Sequence, residues 1–276
     1  MSGTLYLVAT PIGNLGDITR RAADVLAGTD FVAAEDTRVT LKLLNHLGLK
    51  KPLVSYYAHN QTESGARIVE RILSGESCAL VTDAGMPAIS DPGEELVRLC
   101  ADSGVTVTAI PGACAAVTAL ALSALPTGRF TFEGFLSTAK KSRFEHLRSL
   151  KDEKRTMIFY EAPHKLLPTL RDMLETFGDR RISISREMTK IHEETLRLTL
   201  QSAVAHFEAT PPRGEFVLVI EGAPASDSAR ATLEDALDAV RGYRRDGLSL
   251  KDAVKKSAAE IGFPKNTLYE AALRDD

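Results

Sequence analysis

Thr82-Asp83-Ala84-Gly85-Met86-Pro87-Ala88-Ile89-Ser90-Asp91-Pro92-Gly93 follows directly on the apolar run Cys78-Ala79-Leu80-Val81. A short apolar run without alternation reads as a strand, over 78–82, buried on both faces of a parallel sheet. A helical pattern over 92–101 comes next, so the stretch is a βα loop at the carboxyl end of a strand. Open α/β sheets bind their ligands at that edge. Twelve residues with two Gly, two Pro and two Asp exceed what a turn requires. Asp91 is expected to cap the following helix, with Pro92 at its first position. That leaves Asp83-Ala84-Gly85 without a structural task, and long ordered loops at strand ends tend to be functional.

The same alternation extends in both directions. Strands are expected over 4–9, 31–35, 53–57 and 105–110, with helices over 37–47 and 63–73 and an Ala-rich helix after Pro111-Gly112. Asp17 is expected to cap the helix that carries Ile18, Ala22, Val25 and Leu26. After Ala124 the pattern resets through Pro126-Thr127-Gly128. Strands over 130–136, 156–161, 181–186 and 215–220 then alternate with helices over 142–150 and 165–177, while 194–208 is part strand and part helix. The reading is an α/β protein with two α/β domains, residues 1–124 and 125–222, a linker over 223–230, and a small C-terminal helical appendage over 231–276. The appendage holds helices over 232–244, 250–261 and 265–273, and its Gly262-Phe263-Pro264 step resembles a helix-turn-helix.

Composition narrows the class. The 276 residues carry 34 Lys+Arg and 37 Asp+Glu, a formal charge of −3, with 44% hydrophobic residues. No run approaches the ~18 apolar residues of a membrane span, and the N-terminus lacks the basic flank of a signal peptide. Three dispersed cysteines, Cys78, Cys100 and Cys114, form no CxxC pair, which points to a reducing cytoplasm and to no metal site. The P-loop, GxGxxG, HExxH and GxSxG patterns are all absent. The strand-end turns, Thr10-Pro11-Ile12-Gly13-Asn14, Glu35-Asp36-Thr37-Arg38 and Ile110-Pro111-Gly112-Ala113, aim no cation at a phosphate. Backbone, small residues and carboxylates suit an adenosine-like ligand bearing positive charge, and S-adenosylmethionine, a sulfonium without phosphate, has that chemistry.

These segments carry a resemblance. Residues 6–19 and 34–38, the loop 82–93, Tyr160-Glu161-Ala162-Pro163-His164, Ser185-Arg186-Glu187-Met188-Thr189-Lys190 and Arg213-Gly214-Glu215 resemble the tetrapyrrole methylase superfamily. More narrowly, they are similar to its branch that methylates a cytidine 2′-oxygen in 16S rRNA of the small ribosomal subunit. The resemblance, over about residues 4–222, implies S-adenosylmethionine in a cleft between two α/β domains, usually in a homodimer. Carried over by position, it implies cofactor contacts at Pro11, Asp83, Gly85, Met86, Ile89, Ser90, Ala113, Cys114, Tyr160, Glu161 and Gly214. Ala113-Cys114 departs from the family's usual Pro-Ser, and a thiol is a weaker donor than a hydroxyl.

Methyl transfer to a ribose hydroxyl needs in-line alignment and a proton acceptor. Glu187, His164, Lys190 and Asp36 are the candidates, each beside a strand end. Each also has a plain structural reading: Glu187 and Lys190 as an i,i+3 ion pair, His164 as a helix start, Asp36 as a helix cap. Residues 138–155 hold seven basic residues against three acidic, within a chain whose total is −3. Lys140, Lys141 and Arg143 there, with Arg38, are the candidate contacts to RNA phosphates; a solvated helix face gives the same pattern. The competing functions are methylation of a corrinoid or other tetrapyrrole, and a non-catalytic ribosome-binding factor on a methylase fold.

Overall fold

Residues 2–224 and 232–275 are described in the computed structural model, and the chain divides into two compact units, Met1–Gly222 and Ala223–Asp276. Most of the expected linker, residues 225–230, lies outside the described residues.

The first sheet contains β1 (Thr4–Val8), β2 (Phe31–Ala34), β3 (Leu53–Ser55), β4 (Cys78–Val81) and β5 (Thr106–Ile110). Its order is β3-β2-β4-β1-β5, and every pairing is parallel. The central strands β1, β2 and β4 read as apolar runs because both faces are covered, while the edge strand β5 is largely exposed. Leu5, Phe31, Cys78 and Leu80 pack on Ile68 and Ile72 of α3 (Gln61–Leu73) and Leu96 and Cys100 of α4 (Glu94–Asp102). The alternate residues Val8, Val32, Ala79 and Val81 pack on α1 (Arg20–Gly28) and α2 (Thr37–His46). Cys78 and Cys100 are core residues, as their apolar settings in sequence suggest.

The second sheet is mixed. It contains β6 (Phe130–Phe135), β7 (Thr156–Glu161), β8 (Arg181–Arg186), β9 (Glu194–Thr199) and β10 (Phe216–Ile220), in the order β6-β7-β10-β8-β9. Only β6 and β7 pair in parallel. The ambiguous stretch after 194 resolves into β9 and then α8 (Leu200–Ala209), which Thr199 caps. Two further helices, α6 (Lys140–Ser149) and α7 (Pro163–Phe177), join α8 on one face, over Phe159, Ile184 and Leu218. The other face receives α5 (Ala115–Leu122), whose Ala116, Ala119 and Leu120 pack on Ile158, Val217 and Val219. So the helix that the expected boundary at 124 assigns to the first domain packs on the second sheet, and residues 111–114 make the crossing.

Two caps differ from expectation. Asp17 lies in a single 3-10 turn, and Thr19 caps α1 by accepting from the Ala22 N–H at 3.1 Å. Asp91 does not cap α4, and Pro92 is not its first residue. The helix starts two residues later behind Gly93, at φ 149°, where a Cβ would meet Leu80 and Ala88 at 3.0 Å. Packing of that glycine on the strand, rather than a carboxylate, sets the start. Asp36 does cap α2, accepting from the Arg38 N–H at 2.8 Å.

The C-terminal unit contains α9 (Leu233–Arg245), α10 (Leu250–Ile261) and α11 (Lys265–Asp275) around Ala236, Val240, Ala253, Val254 and Leu268. A capping box of Thr232 and Asp235 starts α9, Ser249 caps α10, and left-handed Gly262 ends it.

At the start of α7, the carboxylate of Glu161 is 3% exposed and fully engaged. It accepts from the Ala162 N–H at 2.9 Å and from the Thr169 hydroxyl at 2.6 Å. Thr169→Val keeps the shape and removes the donor, leaving a buried carboxylate oxygen unpartnered. Global stability in urea should fall by about 1–3 kcal/mol, and a loss within measurement error would show that Glu161 finds another donor.

Candidate active site

Strands β1 and β4 are neighbours at the centre of the first sheet, and their outgoing loops are tied together. Thr10 N–H donates to Gly85 O at 2.9 Å, and Gly85 N–H returns to Thr10 O at 3.1 Å. Thr10 Oγ1 adds a bond to Thr82 O at 3.2 Å. The joined loops form one wall of a cavity of about 420 Å³. The other wall comes from the ends of β6, β7 and β10 and from the turn after β8.

Three carboxylates share the first wall. Thr82 donates its hydroxyl to Glu35 Oε2 at 2.7 Å, and Asp91 lies against the same hydroxyl. Asp83 accepts only the Asp36 N–H, at 3.2 Å. Half-buried Asp91 is pushed up to about 6, first by burial and then by the charge of Glu35. Burial and Glu35 also raise Asp83. Asp36, by contrast, is held down to about 2 by hydrogen bonds from Arg38, whose side chain is solvent-exposed.

The opposite wall carries the turn 186–190. Lys190 Nζ donates to Glu187 Oε1 at 2.9 Å, so the i,i+3 ion pair exists and also lines the cavity. Two glycines make room for it. A Cβ at Gly214 would lie 2.5 Å from Glu187 Oε1, and one at Gly13 would lie 2.7 Å from Lys190 Cγ. Backbone strain concentrates here. Of five non-glycine residues with positive φ among the described residues, Ala88 and Ser90 lie in one wall and Glu187 and Thr189 in the other. Such conformations cost free energy and cluster at functional sites.

Of the expected cofactor contacts, Asp83, Gly85, Met86, Ile89, Ser90, Cys114, Tyr160 and Glu161 line the cavity, as do Glu187 and Lys190. Pro11, Ala113 and Gly214 are not lining residues. Pro11 extends the turn from Thr10, the Ala113 carbonyl lies behind Gly85, and Gly214 lies behind Glu187. His164, exposed on the first turn of α7, stands outside the lining, as do Asp36 and Arg38. On α6, Lys140 and Lys141 are exposed, but Arg143 is not available to a phosphate. It is bound to Asp172 at 2.6 Å and to the carbonyls of Ser137 and Thr138. Sequence reasoning missed Glu35, Asp91, Phe135, Met188 and Glu215 as lining residues. Glu35 sits inside a strand-end turn read for Asp36 and Arg38, and Asp91 was absorbed by its expected capping role.

Chemically, the cavity offers apolar surface from Ile12, Met86, Ile89 and Val217, three carboxylates crowded on one wall, Glu161, Glu187 and Glu215 on the other, and one lysine already paired. No other Lys or Arg lines it. That donor set fits a cationic ligand of nucleoside size without phosphates, as S-adenosylmethionine is. Tyr160 accepts the Ala116 N–H at 3.2 Å, which leaves its own proton for a ligand.

Comparison with known proteins agrees. The sequence profile of the tetrapyrrole (corrin/porphyrin) methylases matches residues 4–204. The chain is 47% identical over 272 residues to ribosomal RNA small subunit methyltransferase I of Synechocystis sp., covering 98% of each chain. It is 45% identical over 276 residues to the protein of that name from Bacillus subtilis, covering 98% of this chain and 94% of the other. The fold is similar to that of the cobalt precorrin-4 methyltransferase, with a TM-score of 0.59 at 19% identity over 79% of this chain and 94% of that one. It is also similar to Thermus thermophilus uroporphyrin-III C-methyltransferase complexed with S-adenosyl homocysteine, with a TM-score of 0.55 at 19% identity over 79% and 97%. With the motifs, the fold and full-length relatives in agreement, the chain belongs to the tetrapyrrole methylase family.

Proposed function

We propose that the chain is an S-adenosylmethionine-dependent methyltransferase that methylates the ribose 2′-oxygen of a cytidine in 16S rRNA, within the small ribosomal subunit or its free RNA. The observation that carries the cofactor is the cavity with three carboxylates crowded on one wall and its single lysine already paired. The RNA acceptor is supported by relatives, 41–48% identical over nearly the whole chain, that are named for small-subunit rRNA methylation. A homodimer in the cytoplasm is the setting that the family resemblance implies. Among the described residues no helix is long and apolar enough to cross a membrane.

When bound, the cofactor supplies an electrophilic methyl on a sulfonium. The chain's own residues do the rest. Glu35, Asp83 and Asp91 complement the positive charge, and the strained loop that carries Ser90 holds the ligand against Ile89 and Met86. Release of the 2′-hydroxyl proton needs an acceptor. Glu187 fits, since it lines the cavity and is oriented by Lys190. Asp36 is a poor base because Arg38 keeps it ionised to low pH. Lys190 is a donor in its pair, and His164 lies outside the cavity.

Labelled cofactor incubated with immature small subunits and with tetrapyrrole extract should mark only the RNA. Label on a corrinoid, or cofactor binding with no transfer to any RNA, would reject the reading. Glu187→Gln should slow transfer by ~10²–10⁴-fold with cofactor affinity little changed; near-normal turnover would remove Glu187 as acceptor.

The carboxylate wall makes cofactor binding depend on pH. Asp91 is protonated below about 6 and ionised above it. Ionisation adds a negative charge that attracts the sulfonium but not the neutral product. Affinity for S-adenosylmethionine relative to S-adenosylhomocysteine should therefore fall with acidification below pH 6, by up to ~10-fold per pH unit. Calorimetry on both ligands reads the ratio, and a ratio independent of pH in wild type contradicts the role. Asp91→Asn should flatten it.

For RNA, the exposed Lys140 and Lys141 are the testable pair, Arg143 being engaged in the fold. Reversing both to Glu should weaken binding to small subunits and lower its salt dependence, with product binding in the cleft intact. Unchanged affinity would assign α6 to plain solvation.

A further inference from the structure

Phe135 is 59% exposed and still lines the cavity, a position that a defect in its strand creates. In β6, Phe132 lies opposite Ile158 of β7, and Gly134 lies opposite Phe159, which leaves Glu133 as an extra residue. In a regular strand Phe135, three residues after Phe132, faces away from it. The extra residue restores Phe135 to the face of Phe132, opposite Tyr160. Gly134 makes the bend at φ 64°, a conformation that suits glycine. Glu133 is held aside by His146 Nε2 at 3.0 Å.

The bulge thus serves to aim one ring. Phe132 and Phe135 both meet Tyr160 edge-on, with centroids at 5.1 Å and 5.4 Å, and the Tyr160 hydroxyl is fixed by the Ala116 N–H. The ring of Phe135 is therefore braced from behind while much of it stays in water, which a residue placed only for core burial does not do. Five residues further on, α6 opens with the exposed Lys140 and Lys141. A rigid aromatic at a cleft mouth, with cations next along the chain, matches the chemistry of an unstacked nucleotide: a π-face for the base and positive charge for its backbone.

We propose that Phe135 is the platform on which the base of the target cytidine stacks, holding the ribose at the cleft mouth. This rests on the RNA acceptor proposed above. Stacking tolerates any base, so the platform positions the nucleotide without reading its identity.

The test compares wild type, Phe135→Ala, Phe135→Leu and Phe135→Trp in methyl transfer to immature small subunits, alongside calorimetric binding of S-adenosylhomocysteine. Phe135→Ala should lose ~5- to 150-fold in kcat/KM for the subunit, mainly through KM, with product binding unchanged. Phe135→Trp should restore activity and Phe135→Leu, which keeps apolar area without a π-face, should not. Restoration by Leu would show simple packing, and a matching loss of S-adenosylhomocysteine affinity would show that the ring holds the cofactor; either overturns the platform. Wild type without transfer to RNA would instead overturn the acceptor, and the two failures are read separately.

Discussion

The cleft depends on an electrostatic imbalance. Glu35, Asp83 and Asp91 converge from the ends of β2 and β4, and the Thr82 hydroxyl has one proton for two of them. Burial first, and then the charge of Glu35, favour the protonated form of Asp91 and raise it to about 6. A fixed cation removes that penalty and lets the wall ionise fully. On the function proposed above, the same wall favours a positively charged donor over its neutral product.

Holding like charges together requires a rigid frame, and the backbone shows where it lies. The reciprocal Thr10–Gly85 bonds join loops that leave adjacent parallel strands. Behind them sits an all-parallel sheet whose central strands are buried on both faces, and its apolar packing offsets left-handed residues at 88 and 90. The second sheet does the same for Glu187 and Thr189, through Met188, which packs in the cluster under α5. Helix α5 therefore couples the halves: it follows the last strand of one sheet, packs on the other, and presents its first N–H groups at the cleft.

Much of this was legible in the residues. Double burial writes itself as unbroken apolar runs, so β1, β4, β7 and β10 stand out, and the loop 82–93 is conspicuous by composition. What local pattern does not encode is tertiary. Asp91 has the spacing of a helix cap, yet Gly93 packed on Leu80 displaces the helix start and turns that carboxylate toward the cavity. The alternation of β8 and β9 fits antiparallel strands, but β10, antiparallel to both of its neighbours, is as unbroken an apolar run as any strand of the parallel sheet. Glu35 joins the site only because β2 and β4 are neighbours, and a strand order is not visible in one sequence.

Charge shows the same limit in another form. The excess of four positive charges over 138–155 is real, but folding uses part of it: Arg143 is bound to Asp172, and Arg155 forks onto Glu153. What faces solvent on α6 is chiefly the row of Lys140, Lys141 and Arg148, with Lys141 within 4.0 Å of Glu145. Two or three exposed cations on one helix make a weak phosphate tether, since each contact adds only a modest salt-dependent increment. Phosphate contacts do not by themselves align a ribose, so that task falls to the cleft, where a nucleotide has to be unstacked to react. The rigid aromatic at the end of β6 is placed for that demand, and electrostatics then only has to bring the RNA near it.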